Sequence, residues 1–227
     1  PCFFALTATG RIARLPENPG TTTSKRSKHD ALLVQIATTT RTDLLFVTSR
    51  GRALRIHAAD VPPAESLQAT DAFVPADAFL GLAAGERLLT VIEARDDISL
   101  ALGTAQGVVK RVVAEYPVKD EFELISLKDG DEVVGAAIAT DASELVFIAS
   151  DAQLLRFAAS NVRPQGRPAG GMAGINLGDG AKAIFFGAVD SVEDAVVLTA
   201  ANSSASLAGT DPGSAKLSLL TEFPGKG

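Results

Sequence analysis

Apolar residues occur along this chain in short runs, each bounded by glycine, proline, serine or aspartate. The stretch from Glu144 to Leu177 shows this most clearly, because Leu145–Ala149 and Leu154–Ala158 are apolar and a turn sequence separates them. Two such runs around a turn are typical of a β-hairpin. A glycine- and arginine-rich loop, 163–174, follows the hairpin. We expect a third strand at the end of this stretch.

The hairpin pattern recurs along the chain. It reads Thr-x-x-Gly-x-x-x-Arg and then an apolar residue, and its first position falls at Thr7, Thr48, Thr104, Ala149 and Thr199, which are 41, 56, 45 and 50 residues apart. A second motif, Leu-x-x-Gly before an apolar strand, begins at Leu82, Leu127 and Leu177, which are 45 and 50 residues apart. Because the two motifs advance together, the chain is predicted to contain five copies of one unit.

The repeated unit predicts an all-β fold. No stretch has a convincing helical period, and each unit offers about four short strands. Short strands in units of this length are typical of radial β-arrays. We therefore predict a propeller-like disc of five or six four-stranded blades, formed by residues 1–227 as a single domain.

Charge is distributed unevenly over this chain of 227 residues, whose net charge is −6. Residues 1–55 carry nine Lys or Arg and three acids, a balance of +6, so the remainder carries −12. An acidic domain with one basic sector is the better description. The single cysteine excludes an internal disulfide framework and fits a reducing compartment, and no apolar run is long enough to span a membrane.

Arginine stands at the same place in four of the hairpins, as Arg14, Arg55, Arg111 and Arg156. Neighbouring residues of a strand point to opposite faces, and an apolar residue follows each arginine. We therefore expect these arginines to point away from the core, at equivalent places on the rim. The alternative is that each covers apolar surface or pairs with a nearby acid.

The order of hairpin, loop and Leu-x-x-Gly strand resembles the C-terminal domain of the A subunit of bacterial type IIA topoisomerases, DNA gyrase and topoisomerase IV. The motifs that carry the resemblance are Gln106–Arg111 (QGVVKR), Asn161–Leu177 (NVRPQGRPAGGMAGINL) and Thr221–Gly227 (TEFPGKG). The resemblance covers essentially the whole chain and is most specific in the third and fourth units.

This resemblance implies a β-pinwheel whose basic edge binds and bends duplex DNA and presents it to an upstream catalytic core. The chain would then be the C-terminal part of a longer polypeptide, working with that cleavage core and with the ATPase subunit of the same topoisomerase. The nucleophilic tyrosine of the core has no counterpart here, and Tyr116 is interpreted as structural. The resemblance also implies a cytoplasmic, nucleoid-associated protein without a cofactor.

Gyrase carries a seven-residue box, Gln-Arg-Arg-Gly-Gly-Lys-Gly, that is needed to wrap DNA with a positive crossing. The corresponding loop here, Pro16–His29, reads PENPGTTTSKRSKH and keeps three cations without the motif. This departure favours a topoisomerase IV-like protein, or a gyrase with weaker wrapping.

The DNA-binding surface is therefore expected to consist of Lys and Arg that neutralise phosphates without reading sequence. The candidate residues are Arg14, Lys25, Arg26, Lys28, Arg50, Arg52, Arg55, Lys110, Arg111, Arg156, Arg163 and Arg167. The acidic balance keeps one alternative open, a protein-binding propeller without DNA activity.

No catalytic or metal-binding constellation is apparent in the sequence. His29 and His57 lack Cys or acidic neighbours at ligand spacing and are interpreted as surface or turn residues. The acids at 96–97 and 129–132 fall at predicted turns and lack the ligand pattern of a calcium loop. Whether the chain is part of an enzyme therefore rests on the resemblance to an ATP-dependent topoisomerase, whose C-terminal domain is non-catalytic.

Overall fold

A computed structural model describes residues 1–17, 30–67, 70–200 and 215–226, and these are mostly strand. The strands are β1 (Cys2–Thr7), β2 (Arg11–Pro16), β3 (Leu32–Thr38), β4 (Asp43–Thr48), β5 (Arg52–His57), β6 (Val74–Pro75), β7 (Leu88–Glu93), β8 (Leu100–Thr104), β9 (Val108–Val112) and β10 (Glu121–Glu123). They continue as β11 (Val133–Ile138), β12 (Glu144–Ala149), β13 (Leu154–Ala158), β14 (Pro164–Gln165), β15 (Met172–Ala173), β16 (Ala183–Val189), β17 (Val196–Ala200), β18 (Ala215–Leu219) and β19 (Gly225–Lys226).

Helix is confined, in the described ranges, to short segments. One α-helix, α1 (Ala76–Leu80), follows β6 directly, and its C-cap Gly81 has φ +63°. The 3₁₀ turns are Ala58–Asp60, Thr70–Ala72, Ala159–Asn161 and Leu220–Glu222. No helix in the described part of the chain is both long and apolar enough to cross a membrane.

The strands form four blades and one smaller sheet. Blade 1 has the order β3-β1-β2-β6, blade 2 β10-β5-β4-β7, blade 3 β11-β8-β9-β14 with β15 also on β9, and blade 4 β16-β12-β13-β19. β17 and β18 form a two-stranded sheet. The predicted all-β, propeller-like architecture is confirmed. The predicted number of blades is too high, because the fifth repeat contributes only this two-stranded sheet among the described residues.

Each blade borrows one edge strand from the next repeat. β6 follows the blade 2 hairpin but pairs with β2 of blade 1, and β10 follows the blade 3 hairpin but pairs with β5 of blade 2. β14 and β19 repeat this exchange on blades 3 and 4. The opposite edge strands, β3, β7, β11 and β16, contact one another from blade to blade. The borrowed strands therefore lie on the outer edge.

The core lies between neighbouring blades. Phe4 of blade 1 meets Phe46 of blade 2 edge-on, with ring centroids 5.3 Å apart. Phe147 and Phe186 of blade 4 form a tilted pair with ring centroids 4.8 Å apart, and this pair belongs to the cluster that joins blades 3 and 4. Tyr116 is buried between blades 2 and 3 and donates a hydrogen bond to the Ile98 carbonyl oxygen at 2.7 Å, which agrees with its interpretation as structural.

The hairpin turns share one backbone conformation. The residue three places after the start of the motif has a positive φ in each blade: Gly10 (+75°), Gly51 (+71°), Gly107 (+82°) and Ala152 (+66°). Glycine adopts this left-handed region without steric cost, whereas alanine at the fourth position is strained there. The repeat register inferred from the sequence is therefore reproduced in the first four copies, including the one that has lost its glycine, while the turn of the fifth copy lies outside the described residues.

One local prediction is wrong. A third strand was expected at the end of Glu144–Leu177, but residues 174–180 are not in a strand. Two short strands, β14 and β15, form earlier in the stretch instead. Both short strands pair with β9, on the outer edge of blade 3. Both ends of the glycine- and arginine-rich segment are thus paired with one strand, β9, of the preceding repeat.

Candidate nucleic-acid interface

Three of the repeated arginines lie at equivalent places on the outer edges of blades 2, 3 and 4. We call Arg55, Arg111 and Arg156 the clamp arginines. Each guanidinium donates to backbone carbonyl oxygens of the segment that crosses over from the next repeat, and each also contacts a carboxylate. They follow the alternative interpretation, in which the arginine pairs with a nearby acid, and they are not free on the rim.

Arg111 is the most enclosed clamp arginine, with 4% of its surface exposed. Its Nη1 donates to Asp141 Oδ1 at 2.6 Å and to the carbonyl oxygens of Ala159 at 3.1 Å and Val162 at 3.4 Å. Its Nε is buried and has no hydrogen-bond partner in the described structure. This guanidinium cannot reach a phosphate without breaking the contact between blade 3 and the following repeat.

Arg55 and Arg156 are held in a similar way. Arg55 donates to Asp43 at 2.9 Å and to the Pro117 carbonyl oxygen at 2.9 Å. Arg156 donates to Glu144 at 2.7 Å and to the Phe223 carbonyl oxygen at 2.8 Å. Both side chains are less than a fifth exposed, so most of their hydrogen-bonding capacity is used within the fold.

Arg14 occupies the clamp position of blade 1, where it pairs with no acid of the described residues. Cys2 stands where blades 2 and 4 have Asp43 and Glu144, and the buried Arg14 Nε has no partner in the described residues. The crossing segment is still present, because the Arg14 backbone N–H donates to the Pro62 carbonyl oxygen at 2.9 Å. Among the described residues, blade 1 therefore keeps the crossing segment but neither the guanidinium contacts nor the ion pair of the clamp.

Arg52 joins the two edges of blade 2. Its Nε and Nη2 donate to the two oxygens of Glu86 at 2.7 Å each, and its Nη1 donates to Glu121 at 2.6 Å. The Glu86 side chain is fully buried, and the arginine lowers the pKa of this carboxyl to about 2 while its own pKa is raised by both acids. Arg52 is consequently a structural residue, whereas its neighbour Arg50 is exposed.

Lys110 is fully buried beneath the glycine- and arginine-rich segment. Its Nζ donates to the carbonyl oxygens of Gly166 and Arg167 at 2.8 Å each and of Ala169 at 2.6 Å. Burial, with a smaller contribution from the nearby Arg167 charge, lowers the pKa of Lys110 to about 8. Its ammonium group is enclosed and cannot contact a phosphate directly.

Residues 163–171 form what we call the rim loop. Arg163 is exposed and makes no ion pair within the described part of the chain, and Arg167 lies over the Phe122 ring with its guanidinium carbon 5.5 Å from the ring centroid. β14 and β15 hold both ends of the rim loop on β9, and the Ser126 N–H donates to the Ala169 carbonyl oxygen at 3.4 Å. The rim loop thus bridges the outer edges of blades 2 and 3.

The remaining candidates fall elsewhere. Lys25, Arg26 and Lys28 lie outside the described residues. Arg50 donates one hydrogen bond, to the Ala84 carbonyl oxygen at 3.3 Å. The sequence did not single out other exposed cations that make no ion pair in the described ranges, namely Arg41, Lys119, Lys128, Lys182 and Lys216. Of the twelve predicted residues, four are at least partly exposed and make no ion pair in the structure described: Arg50 and Arg163 are exposed, and Arg14 and Arg167 are half-buried.

The acid partners were missed although the sequence contained a signal. Asp43 precedes Arg55 by twelve residues, and Glu144 precedes Arg156 by the same interval. This spacing places acid and arginine diagonally across one hairpin. Asp141 could not have been found in this way, because it enters from the loop between β11 and β12 of the neighbouring repeat.

The chain matches a protein-family model described as DNA gyrase C-terminal domain, beta-propeller, over residues 42–64, 123–140 and 143–190. The DNA gyrase A protein of Ureaplasma parvum is 34% identical over 143 residues, which is 61% of this chain and 17% of that protein. Its Staphylococcus epidermidis counterpart is 29% identical over 175 residues, 74% of this chain and 19% of that protein. The chain thus spans less than a fifth of these curated relatives.

Solved structures share the fold. The C-terminal domain of DNA topoisomerase IV superposes with a TM-score of 0.78 at 20% identity, covering 99% of this chain and 69% of that one. The E. coli ParC C-terminal domain superposes with a TM-score of 0.63 at 17% identity, covering 88% of this chain and 82% of that one. The DNA gyrase A C-terminal domain superposes with a TM-score of 0.57 at 20% identity, covering 89% of this chain and 68% of that one. The chain is related in sequence to gyrase A proteins and has the β-pinwheel fold of these C-terminal domains, so the resemblance seen in the sequence is confirmed.

Proposed function

Starting from this relationship, we propose that the chain binds duplex DNA without sequence preference, as the C-terminal domain of a type IIA topoisomerase A subunit. It would bend the duplex and present it to a cleavage core that works with an ATPase subunit, in the cytoplasm and at the nucleoid. The observation that carries the proposal is the rim loop, where Arg163 and Arg167 are held on the outer edge of blade 3 without carboxylate partners in the described residues.

The charge of the rim loop supports phosphate contact. Arginine binds phosphate through a planar fork of N–H donors, and such contacts give affinity that falls with salt and varies little with base sequence. The clamp arginines and Arg52 are paired with carboxylates within the fold, so they offer neither direct contacts nor much net positive potential to DNA. We therefore place the DNA path along the rim loop and toward Arg50, which is also exposed.

The proposed site can be tested by charge reversal. In Arg163→Glu/Arg167→Glu, duplex affinity at about 0.1 M salt should fall by roughly ten- to a hundredfold for unrelated sequences, because phosphate contacts are lost. The matched control is Lys182→Glu/Lys216→Glu, which reverses two exposed lysines, one just before β16 of blade 4 and one on β18. Fluorescence anisotropy across a salt series measures both, and equal losses in the two variants would contradict a local site.

The domain is acidic apart from the proposed path along the rim loop and Arg50, so we expect it to bend a bound duplex more than wrap it. Residues 56–227 carry −12, which repels the far arm of the duplex. We therefore expect the linking number of nicked circles, sealed with the domain bound, to stay close to that of circles sealed alone. A marked positive shift per bound domain would instead support gyrase-like wrapping and would favour a gyrase over a topoisomerase IV-like protein.

A further inference from the structure

Lys110 lies on β9, and the rim loop encloses its ammonium group. Its three acceptors, the carbonyl oxygens of Gly166, Arg167 and Ala169, lie within 2.8 Å of Nζ. The Ala169 N–H also closes a turn on the Gly166 carbonyl oxygen at 3.1 Å. The Lys110 side chain therefore fixes the direction of three carbonyl groups within four residues of one loop.

Orientation of these carbonyl oxygens determines where the amide hydrogens point. A peptide unit is planar and trans, so its N–H is directed opposite to its C=O. With the carbonyl oxygens of Gly166 and Ala169 turned inward to Lys110, the N–H groups of Arg167 and Gly170 are turned away from Nζ. Neither N–H donates a hydrogen bond within the described structure.

The loop backbone is held in this arrangement from below. β14 and β15 pair with β9, the strand that carries Lys110, on both sides of the loop. Gly171 has φ +84°, and a Cβ there would lie 2.7 Å from the Val109 carbonyl oxygen, so close contact with β9 requires glycine. By contrast, a Cβ on Gly166 would meet only Pro168, at 3.9 Å.

We propose that Lys110 is a positioning residue for anion binding: by drawing three carbonyl oxygens inward it presents the N–H groups of Arg167 and Gly170, in the loop that also carries the Arg163 and Arg167 side chains, as a site for one backbone phosphate. Outward backbone N–H groups next to cationic side chains form concave sites that bind phosphate. The inference rests on the proposed function, since it assigns the DNA phosphate to this loop. Lys110 thus acts on DNA through the loop and not by contact.

The test replaces Lys110 by methionine in the chain described here, which removes the donors but keeps an unbranched side chain. Lys110→Met should weaken binding of a 20–30 base-pair duplex by about tenfold at 0.1 M salt, because the two N–H groups of the rim loop lose their fixed orientation. The control Lys182→Met removes the same charge from an exposed site and should change affinity by less than about twofold. A folded Lys110→Met variant that binds like the Lys182→Met variant would overturn the proposal.

Amide resonances give a readout that survives if Lys110→Met fails to fold. In the unsubstituted chain, adding duplex DNA should shift the Arg167 and Gly170 amide signals, and inorganic phosphate at high concentration should shift the same two. Unshifted amides in the DNA complex would overturn the inference. If Arg163→Glu/Arg167→Glu lowers affinity while these amides stay unshifted, the proposed function stands and only the role of Lys110 falls. If the Arg163→Glu/Arg167→Glu variant keeps its affinity and the two amide signals stay unshifted, the DNA site lies elsewhere.

Discussion

Arg111 and Arg163 lie on the same outer edge of blade 3, yet their environments are opposite. Arg111 pairs in register with Pro164, the residue after Arg163, but is 4% exposed and donates to one carboxylate and two carbonyl oxygens. Arg163 is exposed and has no ion pair in the described part of the chain. The arginine that recurs at the edges of blades 2, 3 and 4 is structural, and the arginine that occurs in one loop is available to a ligand.

The difference follows from the strand exchange. Wherever a segment from the next repeat crosses the edge of a blade, it brings carbonyl oxygens that no strand partner satisfies. A buried carbonyl group without a hydrogen bond is costly, and a guanidinium can satisfy several at once. A guanidinium meets this need at the crossings of blades 2, 3 and 4, which accounts for the arginine repeated there. The rim loop satisfies its own carbonyl oxygens through Lys110, which leaves its arginines free.

The largest expected effect that tests this comparison is on stability. Arg111→Met should lower the free energy of unfolding by about 2–3 kcal/mol, because the buried Val162 carbonyl oxygen loses its donor and the Ala159 carbonyl oxygen keeps only the Val162 N–H. Arg163→Met should change it by less than about 0.5 kcal/mol, since that side chain is exposed. Urea unfolding followed by circular dichroism measures both.

A second control separates the ion pair from the carbonyl contacts. Asp141 is 80% exposed at its side chain, so its removal in Asp141→Asn should cost under about 1 kcal/mol even though the Nη1–Oδ1 distance is 2.6 Å. An Arg111→Met variant that stays as stable as the parent but loses DNA affinity would reverse the assignment and make Arg111 a contact residue.

The sequence predicted the hairpins and their register well because both depend on local chemistry. Thr48, Gly51 and Arg55 recur at fixed intervals, and the turn glycine is required by its positive φ. Even Ala152 was placed correctly, since the flanking apolar runs fix the register when the glycine is absent.

The strand exchange could not be predicted from local patterns. β10 and β14 are too short to show an alternating pattern, and their partners β5 and β9 belong to the preceding repeat. For the same reason the repeated arginines were expected on a free rim, because the segments that cover them come from a distant part of the sequence. Lys110 was expected to bind DNA directly, because the local motif Gly-Val-Val-Lys-Arg does not show that a distant loop buries the lysine.

A smaller effect is expected from acid, and it also separates paired from unpaired arginines. The pKa of Glu86 is lowered to about 2, mainly by its hydrogen bonds from Arg52. A carboxyl whose pKa is depressed by folding adds stability above its unfolded pKa and loses it as the pH falls through the folded value. The Glu86–Arg52 contribution should therefore be complete above pH 4.5 and should decline from there toward pH 2.

The measurement is the free energy of unfolding at pH 6 and pH 3, for the parent chain and for Glu86→Gln. Other carboxyls titrate in the same window, so the informative quantity is the difference between the two pH dependences. We expect the parent to lose about 1–2 kcal/mol more than Glu86→Gln over this interval, because Arg52 remains partly solvated and the shift is screened. The pair Arg163→Gln/Arg167→Gln should leave the pH dependence of the parent unchanged, since no carboxylate in the described residues pairs with either arginine. An acid response that Glu86→Gln retains in full would show that Arg52 is not held by this carboxylate, and Glu121 would then be its remaining acid partner.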